Sequence, residues 1–221
     1  MRYTGKWVMS MAGRSMMKHR SAWLLATASV ALAAALGHRV LAAPKKDPGL
    51  QPLASFNRVA DKAERSRALF KEAGKVILHA RCINCHPAGD TPTQGDKGQP
   101  HLPAVVRGPD GHGAIGLRCN TCHQAENYEP SRVPGHPLWG VAPIEMAWQG
   151  RTLGQICEQL KDPKRNGGKT LSQIHEHMAK DTLVGWGWNP GGGRTPAPGT
   201  QEQFGALIGA WIESGAECPP P

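Results

Sequence analysis

The 221 residues carry 26 Lys and Arg against 17 Asp and Glu, with 27 Gly, 19 Pro and only 5% aromatic residues. That length allows one ordinary domain or two small ones, and so few aromatic rings promise a thin core. Six of the bases lie in residues 1–42; the remaining 20 face 17 acids, a net of +3, so no basic cluster is left to give nucleic acid an electrostatic footprint.

The chain begins with Arg2, Lys6, Arg14, Lys18 and Arg20, then an uncharged run over residues 21–37, then the small residues of VLAAP. A basic stretch, an apolar stretch and a small-residue site read as a signal peptide over residues 1–42, cut after Ala42. The apolar run is too short and Ala-rich for a membrane span. Membrane attachment is therefore expected only if the leader stays on as an anchor. There is no twin-Arg pair, which favours the general export route and a periplasmic destination. Residues 43–58 read as a flexible lead-in, and residues 59–221 as a single domain.

A helical pattern fills about 59–80, with Ala63, Ala68, Leu69, Phe70, Ala73, Val76 and Ile77 on one face. It runs into CINCH at residues 82–86. Residues 87–118 are dense in Gly and Pro without periodicity, a loop so long that it needs a task or something large to wrap around. CNTCH follows at residues 119–123, then more Pro-punctuated loop. Helices are expected at about 151–161, 169–180 and 200–214. In the first of these Leu153, Ile156, Cys157 and Leu160 make an apolar stripe; in the last Phe204, Leu207, Ile208, Trp211 and Ile212 do so. No segment alternates as a strand does. The fold class is mainly α: a loop-rich domain of about four helices, with its N- and C-terminal helices packed together.

Two Cys-x-x-Cys-His motifs carry the chemistry. Two intervening residues let both sulfurs reach the two vinyl groups of one porphyrin, and the next His falls beneath the iron. Zinc ribbons space their Cys pairs by about 15–20 residues, against 33 here, and need no His after each pair. A thioredoxin-like dithiol wants a βαβ context, which is missing. The reading is a dihaem cytochrome c domain with two covalently attached haems c. Cys82, Cys85 and His86 hold the first; Cys119, Cys122 and His123 hold the second. His86 and His123 are the proximal ligands. Thirty-two residues between the motifs cannot complete a separate fold, so the haems are expected to share walls.

For the sixth ligands, Met146, His101, His112 and Met178 are the candidates. His175 and His177, two apart, cannot both face one iron from a helix, and His79 and His136 are weaker. Export leaves Cys157 and Cys218 as a candidate disulfide between the third-quarter helix and the C-terminus. Trp186 and Trp188 are candidate covers for a haem face.

The run from CINCHPAGD through PHLPAVVRGPDGHGAIGLRCNTCH, ICEQLKDPKRNGG, HEHMAKDTLVGWGWNPGGGRTPAPG and QFGALIGAWIESG resembles a family of exported dihaem cytochromes often labelled isoquinoline 1-oxidoreductase subunit. The resemblance spans nearly all of residues 66–218. It implies a redox partner protein, a molybdenum hydroxylase that takes oxygen from water and releases two electrons. The chain has neither the length for a molybdopterin domain nor the C-x₄-C-x₂-C spacing of an iron–sulfur subunit. A single-electron carrier is thus the leading expectation. The alternative is a dihaem peroxidase-type enzyme with one five-coordinate haem; a haem sensor would want an appended signalling domain.

Overall fold

The computed structural model describes residues 49–221; the leader and the start of the lead-in fall outside them. Helix α1, Lys62–Ile77, opens where the Asp61 side chain accepts a hydrogen bond from the Glu64 amide, an N-cap that satisfies one orphan donor. It buries Leu69, Phe70, Ala73, Val76 and Ile77, most of the expected face. The helix does not run on into the first motif. It stops at Leu78, and His79 starts a one-turn helix α2, Ala80–Ile83, by accepting from the Arg81 amide through its side chain.

Three further helices carry the same start signal. Thr152, Thr170 and Thr200 each form a capping box with a Gln three residues on, satisfying two backbone donors reciprocally. They open α3 (Leu153–Lys161), α4 (Leu171–Lys180) and, after α5 (Thr182–Gly185), α6 (Gln201–Glu213). The one-turn α5 was not expected; Asp181 ends α4 and caps α5 through its carboxylate.

As expected, α1 packs on α6, the two ends of the domain. Phe70 and Trp211 meet there with ring centroids 4.7 Å apart, and the Ser66 hydroxyl donates to the Trp211 carbonyl at 3.1 Å. An equally extensive contact, not foreseen, joins α4 to α6. Gly205 makes it close: a Cβ there would stand 2.5 Å from that of Ala179. The disulfide between Cys157 and Cys218 forms, with Cα atoms 5.6 Å apart. It ties α3 to the C-terminus, inside the core.

The expected flexible lead-in needs correction from Leu50 onward. Leu50 and Phe56 are buried in the core cluster, Leu53–Phe56 is a 3-10 turn, and the Gln51 amide donates to buried Glu72 at 2.8 Å. The long loop also has more order than its composition suggests. Two antiparallel hairpins of two-residue strands, β1 (Thr93–Gln94) with β2 (Gln99–Pro100) and β3 (Gly113–Ala114) with β4 (Leu117–Arg118), fold it back twice. Among the described residues no helix is long and apolar enough to cross a membrane. The whole is mainly helical and loop-rich.

Candidate functional site

The first motif is docked by backbone bonds onto the segment that precedes α3. The Cys85 carbonyl accepts from the Ala142 amide at 2.9 Å, and the His86 carbonyl from the amides of Trp148 and Gln149 at 3.0 and 3.1 Å. The Trp148 indole lies flat on the His86 imidazole, ring centroids 3.7 Å apart and planes within 5°. Nδ1 of His86 faces the Met146 carbonyl at 2.8 Å, so the Nδ1-protonated tautomer donates there and Nε2 is left as the basic nitrogen.

Beside this ring lies a cavity of about 240 Å³. Cys82, Cys85, His86, Trp148 and Met146 line it on the motif side; Ile174, His177, Met178, Trp186, Trp188 and Phe204 are among the residues that line the rest. Both sulfurs are free thiols. Burial pushes Cys82 up to about 12 and Cys85 up to about 11. Burial thus works against the thiolate that a redox or nucleophilic dithiol would use. Burial likewise pushes His86 down to about 4, which keeps its imidazole neutral and able to ligate a metal at pH 7.

The second motif is held differently. Cys119–Thr121 is a 3-10 turn that follows β4 directly. The Cys119 amide donates to the His112 carbonyl at 2.9 Å, and the His123 amide to the Cys119 carbonyl at 2.9 Å. Nδ1 of His123 meets the Pro134 carbonyl at 2.7 Å, and its ring stacks on Trp139 at 4.7 Å and 14°. The tie of His86 is thus repeated: a carbonyl on Nδ1 and a parallel indole on the face. Burial raises the Cys119 thiol and lowers the His123 imidazole, but Cys122 is exposed. Leu102, Ile115 and Leu117, close in the chain to His101 and Cys119, are left in water.

The two sites are neighbours. Trp139 both stacks on His123 and lines the cavity of the first motif. Its ring also meets Trp186 edge-on at 4.8 Å, and the Trp186 indole N–H donates to Asn127, in the loop after the second motif, at 2.9 Å.

Of the sixth-ligand candidates, Met146, Met178 and His112 line the cavity, while His101 lies beside His123 with ring centroids 5.9 Å apart. Met178 also belongs to the core cluster. His136 has both ring nitrogens engaged, by Thr182 Oγ1 and the Leu138 amide. Sequence reasoning passed over His177, which lines the cavity and whose Nδ1 meets Asp181 Oδ2 at 3.1 Å. The readable signal was the Asp four residues on, which stands at the C-cap of α4. It also passed over Arg81, buried to 5% exposure in the cavity wall. Arg81 pairs with Asp96, yet its Nε has no hydrogen-bond partner.

The surroundings fit a haem at the first motif. Two protonated thiols and a neutral imidazole with a fixed tautomer meet an apolar cavity, and a buried guanidinium with a donor to spare suits a carboxylate of the kind that porphyrins carry. At the second motif the same donor set recurs at a more open place. A four-thiolate zinc site would need the Cys residues gathered together; among the described residues no group of three or more His, Cys, Asp or Glu is placed to hold a metal ion. A haem iron asks for at most two protein ligands, so that grouping does not bear on it.

Compared with models of protein families, with curated proteins and with solved structures, the chain matches none.

Proposed function

We propose that the chain is a periplasmic dihaem c-type cytochrome that carries single electrons, serving as the electron-accepting subunit of a molybdenum hydroxylase. The observation that carries the reading is the repeated local build. At each motif two thiols that form no disulfide stand beside an imidazole whose Nδ1 is tied to a backbone carbonyl, at 2.8 Å for His86 and 2.7 Å for His123. Cys82 and Cys85 would hold one haem by thioether bonds, and Cys119 and Cys122 the other, with His86 and His123 as proximal ligands. The bound haems supply one-electron chemistry at iron.

The chain's own contribution is position and environment. The carbonyls of Met146 and Pro134 orient the two imidazoles and raise their basicity, as outer-shell acceptors do for ligating histidines. Ile174, Met178, Trp188 and Phe204 keep water from the first site, which sets potential through burial. Trp139 keeps the two sites in contact. The partner hydroxylase rests on the family resemblance, and the periplasm on the leader.

The test is to express the full chain with its leader in a host that matures c-type cytochromes, and to weigh the exported product. A mass raised by two porphyrins, with colour that survives acid–acetone, is the expected result. A colourless polypeptide, or colour lost to the solvent, would sink the reading. Peroxide turnover by a high-spin haem would replace the carrier with the peroxidase.

A further inference from the structure

We infer that each iron takes a second histidine as its sixth ligand, His177 opposite His86 and His101 opposite His123; this rests on the reading that both motifs carry haem. The first observation is a shared signature. Among the described histidines, five have Nδ1 tied to a carbonyl or carboxylate oxygen: His86, His101, His112, His123 and His177. Such a tie selects the Nδ1–H tautomer and leaves Nε2 as the ligating atom. Four of the five fall into two pairs, one in ring contact and one on the walls of a single cavity.

The pair at the second motif is direct. The rings of His101 and His123 stand 5.9 Å apart at 61°. Two imidazoles on opposite sides of one metal, each with a metal–nitrogen bond of about 2 Å, place their ring centres roughly 6 Å apart. Aromatic pairs pack at such distances too. What marks this pair is that both Nδ1 atoms are already committed, to the Pro103 carbonyl at 2.9 Å and the Pro134 carbonyl at 2.7 Å.

The pair at the first motif shares the cavity, which His86 and His177 both line. The Nδ1 partner of His177, Asp181, is itself pinned by the Leu183 and Val184 amides at 2.8 and 3.3 Å. That is a carboxylate–histidine arrangement of the kind that orients metal ligands. The rivals are placed less well. The Met146 carbonyl takes Nδ1 of His86, which puts that backbone behind the ring, away from Nε2. Met178 is buried at 4% exposure in the core cluster. His112 is wedged against Gly140, where a Cβ would lie 2.7 Å from its Nδ1. His175 faces α6, its Nε2 3.1 Å from where a Gly209 Cβ would stand.

Two-histidine ligation holds iron at a lower potential than histidine–methionine, and leaves no open site for peroxide. The experiment starts from the exported holoprotein, with covalent haem counted first by mass. Fewer than two haems would sink the proposed function and this inference together. With two attached, EPR and near-infrared magnetic circular dichroism should give two low-spin two-histidine signatures; the sulfur-to-iron charge-transfer band of methionine ligation at either haem would sink the inference alone. His101→Met and His177→Met should each bring in that band at one haem, raise only that haem's potential, and remove half of the two-histidine signal. Met146→Leu, Met178→Leu and His112→Gln should leave both signatures intact. A high-spin haem in any of those three, or unchanged spectra in both histidine variants, would overturn the assignment.

Discussion

Residues 82–86 and 119–123 share a pentapeptide pattern and the same tie on the His, yet they sit in unequal surroundings. The first begins on the one-turn helix α2 and ends just past it, against a cavity whose far side is built from α4, α5 and α6. Its thiols are pushed up to about 12 and 11, and its stacked indole, Trp148, is 5% exposed. The second lies on a 3-10 turn between a two-residue hairpin and a loop, with Cys122 exposed and apolar Ile115 88% exposed nearby. A motif sets what can be attached, and the tertiary environment sets how deep it sits. Of the two, the first is better shielded from water and the second more open to it; with haems bound as proposed, that difference would separate their potentials.

The sharpest way to break the contrast is a matched pair of substitutions. Trp148→Ala empties a buried site against His86 and should cost about 3–5 kcal/mol, as buried aromatic truncations do, read from denaturant midpoints. Trp139→Ala, at the partly buried counterpart on His123, should cost much less, roughly 1 kcal/mol. Equal losses would show that the two sites share one cooperative core. Next in size is the disulfide, which braces only the helical side. Replacing Cys157 and Cys218 together by Ala should destabilise by roughly 2–4 kcal/mol, given a sequence separation of 61, and, in the chain loaded as proposed, should leave the spectrum of a haem at the second motif unmoved.

Asp96 stands between the regions, since it pairs with buried Arg81 and accepts from the Thr195 hydroxyl at 2.6 Å. Partial burial works to raise its pKa, but the Thr195 hydrogen bonds and then the Arg81 charge leave it below the ordinary value. A carboxyl whose folded value is depressed stabilises the fold above its unfolded value and loses that contribution as pH falls through the folded one. Asp96→Asn should therefore cost about 1–2 kcal/mol at neutral pH, discounted from a fully buried pair because Asp96 is 43% exposed. The cost should shrink below about pH 4, which melts across a pH series would show. The smallest effect is kinetic. In haem-free chain made without export, iodoacetamide should label Cys122 at least about tenfold faster than Cys82, since the thiolate is the reactive form and burial suppresses it. Mass-mapped labelling at equal rates would erase the asymmetry.

Much of this was legible in one dimension. The apolar stripe of α6 and the two CxxCH motifs are local patterns, written within one or two turns of chain; the Thr-x-x-Gln starts of three helices are equally local but were not read. Pairing Cys157 with Cys218 needed only the elimination of the other four thiols, and the bond is there. Other features left no local trace. Nothing in GKVILHARC shows that α1 breaks at His79, because the break depends on a side-chain cap to the Arg81 amide and on where the motif must dock. Leu50 and Phe56 look like lead-in, since their burial comes from surfaces that α1 and α6 supply.

The covalent chemistry open to this chain follows from its sequence, because two sulfurs and an imidazole at fixed spacing depend only on neighbours along the backbone. Which histidines share a cavity, which indole touches both sites and which motif is shielded depend on contacts between residues far apart in the chain. His86 and His177 lie 91 positions apart, and only folding α4 against the first motif puts them on the walls of one cavity.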